Sequence, residues 1–431
     1  MRLAAESREP WVKAPIVGSG LIGTSSAYFL ARRGWEVTVL DRQQGPGQET
    51  SFANGSLLTP GMPEPWNSPG SWRVLLKSLG RSDSPLQLRW KTLPGLAGWG
   101  SGFLRNSSPE RYQRNTVSNM TMALYSLEVL AAVRADIGIE YGGAAGGSLR
   151  IIRDPQTLER AIAWAEKLRA VGLTFRRLSR DDVVVLEPAL APIAGQLAGG
   201  IHYPVDEIGN AYKFTVGLAD HARISGVEFR FGTPITGIEV RQGKVAAVLS
   251  GGDRFTADCY VVAAGSYSPL LMKQLGIKVP VSPAKGYSLT FERPKLAPQF
   301  KLPICDDDFH AVVVPLENVI RVAGTAEFAG YDLSLPEARI QNLVTLVKQV
   351  FPTGGYERAQ AKPWCGLRPM AMDGVPIIGP TPIANLWLNT GHGHLGWTMA
   401  AGSGQLLSDL LTGGSPRVNP DSYSLARFNG A

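Results

Sequence analysis

Cysteine is scarce: 431 residues contain three, Cys259, Cys305 and Cys365. Thiols so far apart in sequence build neither a disulfide framework nor a paired metal knuckle. A reducing compartment is expected. There are five histidines, and none are at metal-type spacing. No run of about 18 apolar residues occurs, which predicts no transmembrane helix. The stretch MRLAAESREPWVK lacks the apolar centre of a secretory signal. The expected location is the cytoplasm. No internal repeat or low-complexity segment is present.

Acid is also in short supply. Asp and Glu number 36 against 43 Lys and Arg, giving +7 and an isoelectric point near 9.3. Such a balance suits nucleic acid, anionic lipid or an anionic ligand. The excess concentrates between Trp66 and Arg105, where six bases (Arg73, Lys77, Arg81, Arg89, Lys91, Arg105) meet one acid, Asp83. Trp66, Trp72, Trp90 and Trp99 share that stretch. Tryptophan among cations is a membrane-interface pattern, and equally the pattern of a basic lobe packing its tryptophans inward.

Glycine, by contrast, is plentiful, with 49 residues. Gly18-Ser19-Gly20-Leu21-Ile22-Gly23 fits G-x-G-x-x-G between a strand ending in IVGSG and a helix stopping at Gly34. The first glycine permits a tight turn, the second lets a pyrophosphate approach backbone, and the third lets helix pack on sheet. The helix N-terminus then faces negative charge. The next strand, WEVTVLD, ends in Asp41, suited to ribose hydroxyls. Dinucleotide binding follows. Lys13 and Pro15 fit poorly in a central strand.

Three further stretches favour a flavin over a nicotinamide. Glu49–Gly55 (ETSFANG) is a polar loop suited to phosphate and isoalloxazine. YVVAAGSYS is an apolar strand ending in small residues. Gly391-His392-Gly393-His394 precedes a helix of small residues whose N-terminus could stabilise an anionic reduced flavin. Helices are predicted at 109–138, with Tyr112, Val117, Met120, Leu124 and Leu127 as the inward stripe, at 156–171 closing on Gly172, and within 205–225. Nucleotide-type signals at the start, middle and end predict a discontinuous cofactor domain (12–84, 205–275, 360–428). A substrate domain is inserted at 85–204 and 276–359. The fold class is α/β: a Rossmann-type sheet with a second lobe of mixed sheet and helix.

Together GSGLIG, VTVLDR, ETSFANG, RFGTPITGIEV, VVAAGSYSPLL, AKGYSLT, IRVAGTAEFAGYD, GLRPMAMDGVPIIGPT and NTGHGHLGWTMAAGSG cover nearly the whole chain. In these stretches the chain resembles the FAD-dependent amine oxidoreductases of the D-amino-acid oxidase type, and most of all the bacterial D-amino acid dehydrogenases. The resemblance implies FAD, held by Gly18, Gly20, Leu21, Ile22, Gly23, Asp41, Arg42, Ser51, Asn54, Gly55, Ile235, Ala264, Gly265, Gly391, His392, Gly393, Leu395 and Gly396. It also gives the arginine of GLRP, Arg368, the role of binding a substrate carboxylate. A core arginine paired to an acid is the bland alternative. The implied reaction passes the α-hydrogen as hydride to flavin N5. The resulting imino acid hydrolyses to a 2-oxo acid and ammonia. Electrons pass to a quinone at the inner face of the plasma membrane, reached through 66–105.

Some positions depart from the dehydrogenase pattern. Phe309-His310 replaces Tyr-Lys, so the phenol beside the carboxylate is either absent or supplied by Tyr287, and His310 is a candidate for tuning the amine's protonation. His394 replaces a small or polar residue, and FANGS replaces FANAG. These changes leave open an N-methyl or proline-type substrate and an oxidase that uses oxygen. Outside this class stand an NAD-dependent dehydrogenase and a non-catalytic nucleotide- or membrane-binding protein. Nucleic acid is not an expected partner.

Overall fold

The structure, a computed structural model, describes residues 12–71, 86–293 and 299–428. Arg73, Lys77, Arg81 and Asp83 of the basic segment, with Trp72, lie outside the described residues.

A six-stranded sheet runs in the order Glu228–Arg230, Glu36–Leu40, Lys13–Val17, Tyr260–Val262, Leu386–Thr390, Ile377–Pro380. All pairings are parallel except the last. Its central strands are short apolar runs, as parallel strands buried on both faces require. Pro15 is tolerated because Lys13–Val17 pairs with Glu36–Leu40 throughout and acquires its second neighbour only from Ile16. The helices Leu21–Arg32, Ala211–Ile224 and Gly396–Leu411 share one core with this sheet through Ile16, Leu30, Val39, Phe214, Val261 and Leu406.

The larger sheet runs Lys362–Ala371, Val281–Glu292, Val319–Phe328, Ala311–Leu316, Ile304–Asp306, Ser148–Ile152, Gly199–Tyr203, Arg176–Leu178, with Leu86–Leu88 pairing Val319–Phe328. Helix Glu337–Val350 covers one face, where Leu289, Phe291, Val322, Leu343 and Val347 pack together. The other face looks onto the cavity described below. One boundary differs from the sequence-based division at 360. The strand Lys362–Ala371 pairs along its length with Val281–Glu292 and so belongs to the larger sheet.

Helix Pro109–Ile137 starts at Ser108, whose side chain accepts from the Arg111 N–H, and ends at Gly138, which has φ +58°. With 29 residues it is long and apolar enough to cross a bilayer by length and composition alone, although it contains no unbroken apolar run of 18 residues. Half of its most apolar window is buried inside the protein. Asn115 donates to the Asp373 carbonyl, and Asn119 to those of Pro63 and Gly374. The expected stripe is met in part. Met120 is buried and Leu124 and Leu127 pack half-buried against the cores, while Tyr112 and Val117 are half-buried and Asn115, Asn119, Met122 and Ser126 are also buried. Small polar residues lie inward because the helix packs on loops whose carbonyls need donors.

Candidate active site

A cavity of about 1090 Å³ runs from the first glycine turn, past the loop before the last helix, and across the open face of the larger sheet. Gly18 has φ +108°, and a Cβ there would stand 2.6 Å from the Ala263 carbonyl oxygen. A Cβ on Gly23 would stand 1.8 Å from the Gly18 carbonyl oxygen. The turn is thus closed to any side chain, as a backbone cradle for phosphate demands. Asp41 accepts from the Ser19 N–H and hydroxyl, both at 2.6 Å, and from the Gln43 N–H at 2.8 Å. A carboxylate has about four lone-pair sites, so capacity is left for a ribose hydroxyl. Arg42 stacks 3.8 Å over the Tyr267 ring and pairs with Glu49 at the same end. Ser51 accepts the Leu21 N–H at 3.0 Å, which fixes the polar loop on the helix start.

The polar loop is also tied to the larger sheet. Thr50 and Ser266 both donate to the Leu367 carbonyl at 2.9 Å, and Ser288 donates to the Ala53 carbonyl at 2.6 Å. Asn54 accepts the Ser56 N–H, and its carbonyl accepts from Arg321, whose pKa burial lowers to about 10. Ala264, Gly265, Ile235 and Gly55 line the same space, as do His392, Gly393 and Gly396. His392 is buried and shares a hydrogen bond with the Ser403 hydroxyl at 2.9 Å. Burial lowers its pKa to about 3, so the ring is neutral. Three expected contacts play other parts. Leu395 belongs to the hydrophobic core, Gly23 packs helix on turn, and Gly391 makes a turn at φ +80° behind the cavity wall. Spacing alone does not tell a lining residue from the one that packs behind it.

Arg368 lies at the substrate end. Its guanidinium crosses Gly286 so closely that a Cβ there would stand 2.3 Å from Cζ. One N–H donates to the Thr325 carbonyl at 3.3 Å, and the Trp66 ring lies 5.4 Å from Cζ. No carboxylate among the described residues pairs with it, which removes the core ion-pair alternative. Burial lowers its pKa to about 10, leaving it charged at neutral pH. His394 stacks on Trp66 at 5.5 Å. Burial, and then the charge of Arg368, hold it at about 3, so it too is neutral.

Two expected substrate residues are placed differently. Tyr287 donates its hydroxyl to Glu327 within a buried network with Lys285 and Arg89. Gly286, Tyr287 and Ser288 all border the cavity, but Tyr287 is also packed with Leu289 in the hydrophobic core, and its hydroxyl is held by Glu327. The phenol is therefore committed elsewhere. His310 is exposed at the cavity's rim, at φ +47° in the turn before Ala311–Leu316. Trp66, Gly286, Thr325 and Trp364 were not foreseen as lining residues. Gly286 and Thr325 left a trace, lying in AKGYSLT and IRVAGTAEFAGYD.

Residues 14–410 match the DAO family, described as FAD dependent oxidoreductase. The chain belongs to that family. It is 44% identical over 421 residues to the D-amino acid dehydrogenase of Paramagnetospirillum magneticum, covering 97% of this chain and 99% of that one. Among solved structures, L-proline dehydrogenase from P. horikoshii superposes with a TM-score of 0.76 at 16% identity, covering 97% of this chain and 98% of that one. Glycine oxidase from Geobacillus kaustophilus gives 0.74 at 21%, covering 96% and 99%. At those identities the two share the fold. The chain is thus an FAD-dependent oxidoreductase of α/β fold. The side-chain-free glycine cradle, the spare capacity of Asp41 and the cavity volume all fit the cofactor.

Proposed function

We propose that the protein oxidises the α-amino group of D-amino acids to the imino acid, which water hydrolyses to a 2-oxo acid and ammonia. The observation that carries the reading is Arg368, an enclosed guanidinium without an acidic partner among the described residues, facing the cavity. A planar fork binds a carboxylate through two parallel bonds and so sets orientation as well as affinity. The D configuration is supported by the name of the Paramagnetospirillum relative.

The chain's own residues orient and desolvate. Arg368, supported by Thr325 and laid over Gly286, fixes the α-carboxylate. Orientation of this kind supplies much of the rate in reactions needing a near-attack geometry. Trp66 and His394 wall the same region, and the neutral imidazole can accept a hydrogen bond from the substrate amine. When bound, FAD supplies the two-electron acceptor for the α-hydrogen. Anaerobic mixing of holoenzyme with matched D- and L-amino acids tests the reading. Bleaching of the flavin band by D forms supports it. Bleaching by L forms alone, or by neither, overturns it.

We further propose a quinone as electron acceptor, with the protein seated at the inner membrane face. Exposed Trp90 and Leu104, with Lys91 and Arg105 nearby in sequence, support this. Trp66 and Trp99 do not contribute, since Trp66 walls the cavity and Trp99 donates to the Met370 carbonyl. Co-sedimentation with anionic vesicles, weakened by Trp90→Ser, is the expected result. Oxygen consumption outpacing reduction of a soluble quinone would favour an oxidase instead.

A further inference from the structure

Beyond Arg368 the cavity continues across the larger sheet to a second polar end that the reaction itself does not use. In the segment from Gly61 to Asn67, Met62, Glu64, Pro65 and Trp66 line the cavity, while Gly61, Pro63 and Asn67 are buried away from it. Trp66 is the ring beside Arg368. Glu64, two residues earlier in the chain, lines the same cavity.

Glu64 is a carboxyl enclosed by protein, turned to the cavity and without an ion-pair partner among the described residues. Burial raises its pKa against the opposing pull of Arg150, its own backbone N–H and the Trp164 indole. The neighbouring arginines are already engaged. Arg150 pairs with Asp307, and Arg160 bonds Thr157 beside Asp154. Tyr112, tilted against Trp164 at 5.2 Å, also lines this end, and no hydrogen bond from the described residues engages its hydroxyl. An enclosed carboxylate without a counter-charge is costly unless a cation joins it.

We infer that Glu64 determines substrate specificity, selecting D-amino acids whose side chain ends in a cation. Arg368 holds the α-carboxylate, and an ammonium on a four-carbon stem reaches along the wall to Glu64, with Tyr112 beside it. The inference rests on the oxidation proposed above and names the substrate class of that site.

Two measurements on the holoenzyme test it, using Glu64→Gln, which keeps shape and removes charge. Calorimetry compares 6-aminohexanoate with hexanoate, neither of which has an α-amine to oxidise. The wild type should bind the amino form about tenfold tighter or more, and the variant should lose that preference. Kinetics compare D-lysine with D-norleucine. Their kcat/KM ratio should fall at least about tenfold in the variant, through KM. If D-norleucine reduces the flavin but Glu64→Gln leaves both ratios unchanged, the specificity role is overturned and the oxidation stands. If neither D-amino acid reduces the flavin while calorimetry still separates the two acids, the oxidation is overturned and the cation subsite stands.

Discussion

At the residue scale the site depends on one charge and one absent side chain. Arg368 faces the cavity with a single carbonyl contact among the described residues, which leaves its remaining N–H groups to the substrate. Charge-assisted bonds are each worth about 1.5–3 kcal/mol. Arg368→Ala should therefore lower kcat/KM for D-amino acids by about a hundredfold or more, and Arg368→Lys should recover only part, since a point charge cannot make the bidentate pair. Steady-state kinetics with an artificial acceptor would show it. A loss below tenfold in the alanine variant would take the carboxylate away from Arg368. Gly286→Ala tests the same clamp without touching the charge. Its new Cβ would stand 2.3 Å from the guanidinium carbon, which has to move. KM should rise markedly while flavin content and far-ultraviolet dichroism stay as they were. An unchanged KM would mean that the arginine's position does not matter.

At the scale of elements, the strand pair behind the clamp carries an irregularity. Register between Val281–Glu292 and Val319–Phe328 shifts beside Gly286, leaving Thr325 as the extra residue at φ +55°. A β-branched residue rarely adopts that conformation, and its cost is of order 1–3 kcal/mol. The Thr325 hydroxyl is buried without a partner among the described residues, while its carbonyl supports Arg368. Thr325→Gly should keep the carbonyl and relieve the strain, against about 0.5–1 kcal/mol of glycine entropy. The expected melting temperature is at or above the parent's, with KM little changed. A clear drop would show that the threonine side chain holds the bulge. This bulge was invisible in the sequence, because nothing local marks a threonine for positive φ. The cofactor end was legible for the opposite reason. The demands on Gly18, Gly20 and Gly23 are local and written in their spacing, and Asp41 ends the very next strand. Arg368 was legible through the GLRP resemblance, but its sheet was not, since pairing between Lys362–Ala371 and Val281–Glu292 is long-range. Tyr287 was misplaced because the partner that holds its hydroxyl, Glu327, is distant in sequence. Trp66 was counted with a membrane pattern by composition, whereas its place is decided by stacking on His394.

At the scale of the whole molecule, the cavity wall must be held against the larger sheet, and Asp206 joins the two. Its carboxyl accepts from the Thr59 hydroxyl and the Gly61 N–H on one side and from the Ser148 hydroxyl of the larger sheet on the other, at 2.6–2.8 Å. The segment it fixes, Thr59–Gly61, leads directly into Met62 and Glu64 of the cavity wall. Burial raises the pKa of Asp206 from 3.8 to about 7, outweighing the bonds from Ser148, Thr59 and Gly61 that lower it. Between those values the folded state holds a proton that the unfolded chain has released. Stability then falls as pH rises. The contribution is fully present below about pH 4 and is lost by the time the pH passes about 7. The slope this one group can impose is at most about 1.4 kcal/mol per pH unit. Other groups titrate in the same range, so the informative quantity is a difference. Asp206→Asn keeps an acceptor for the Gly61 N–H and an amide for the hydroxyls, and it cannot ionise. The variant's melting temperature, relative to the parent's, should therefore climb between pH 5 and pH 7 and level off above. A difference that stays flat with pH would mean that Asp206 is ionised throughout, and that the junction between the cavity wall and the larger sheet is held by a carboxylate rather than by a carboxylic acid.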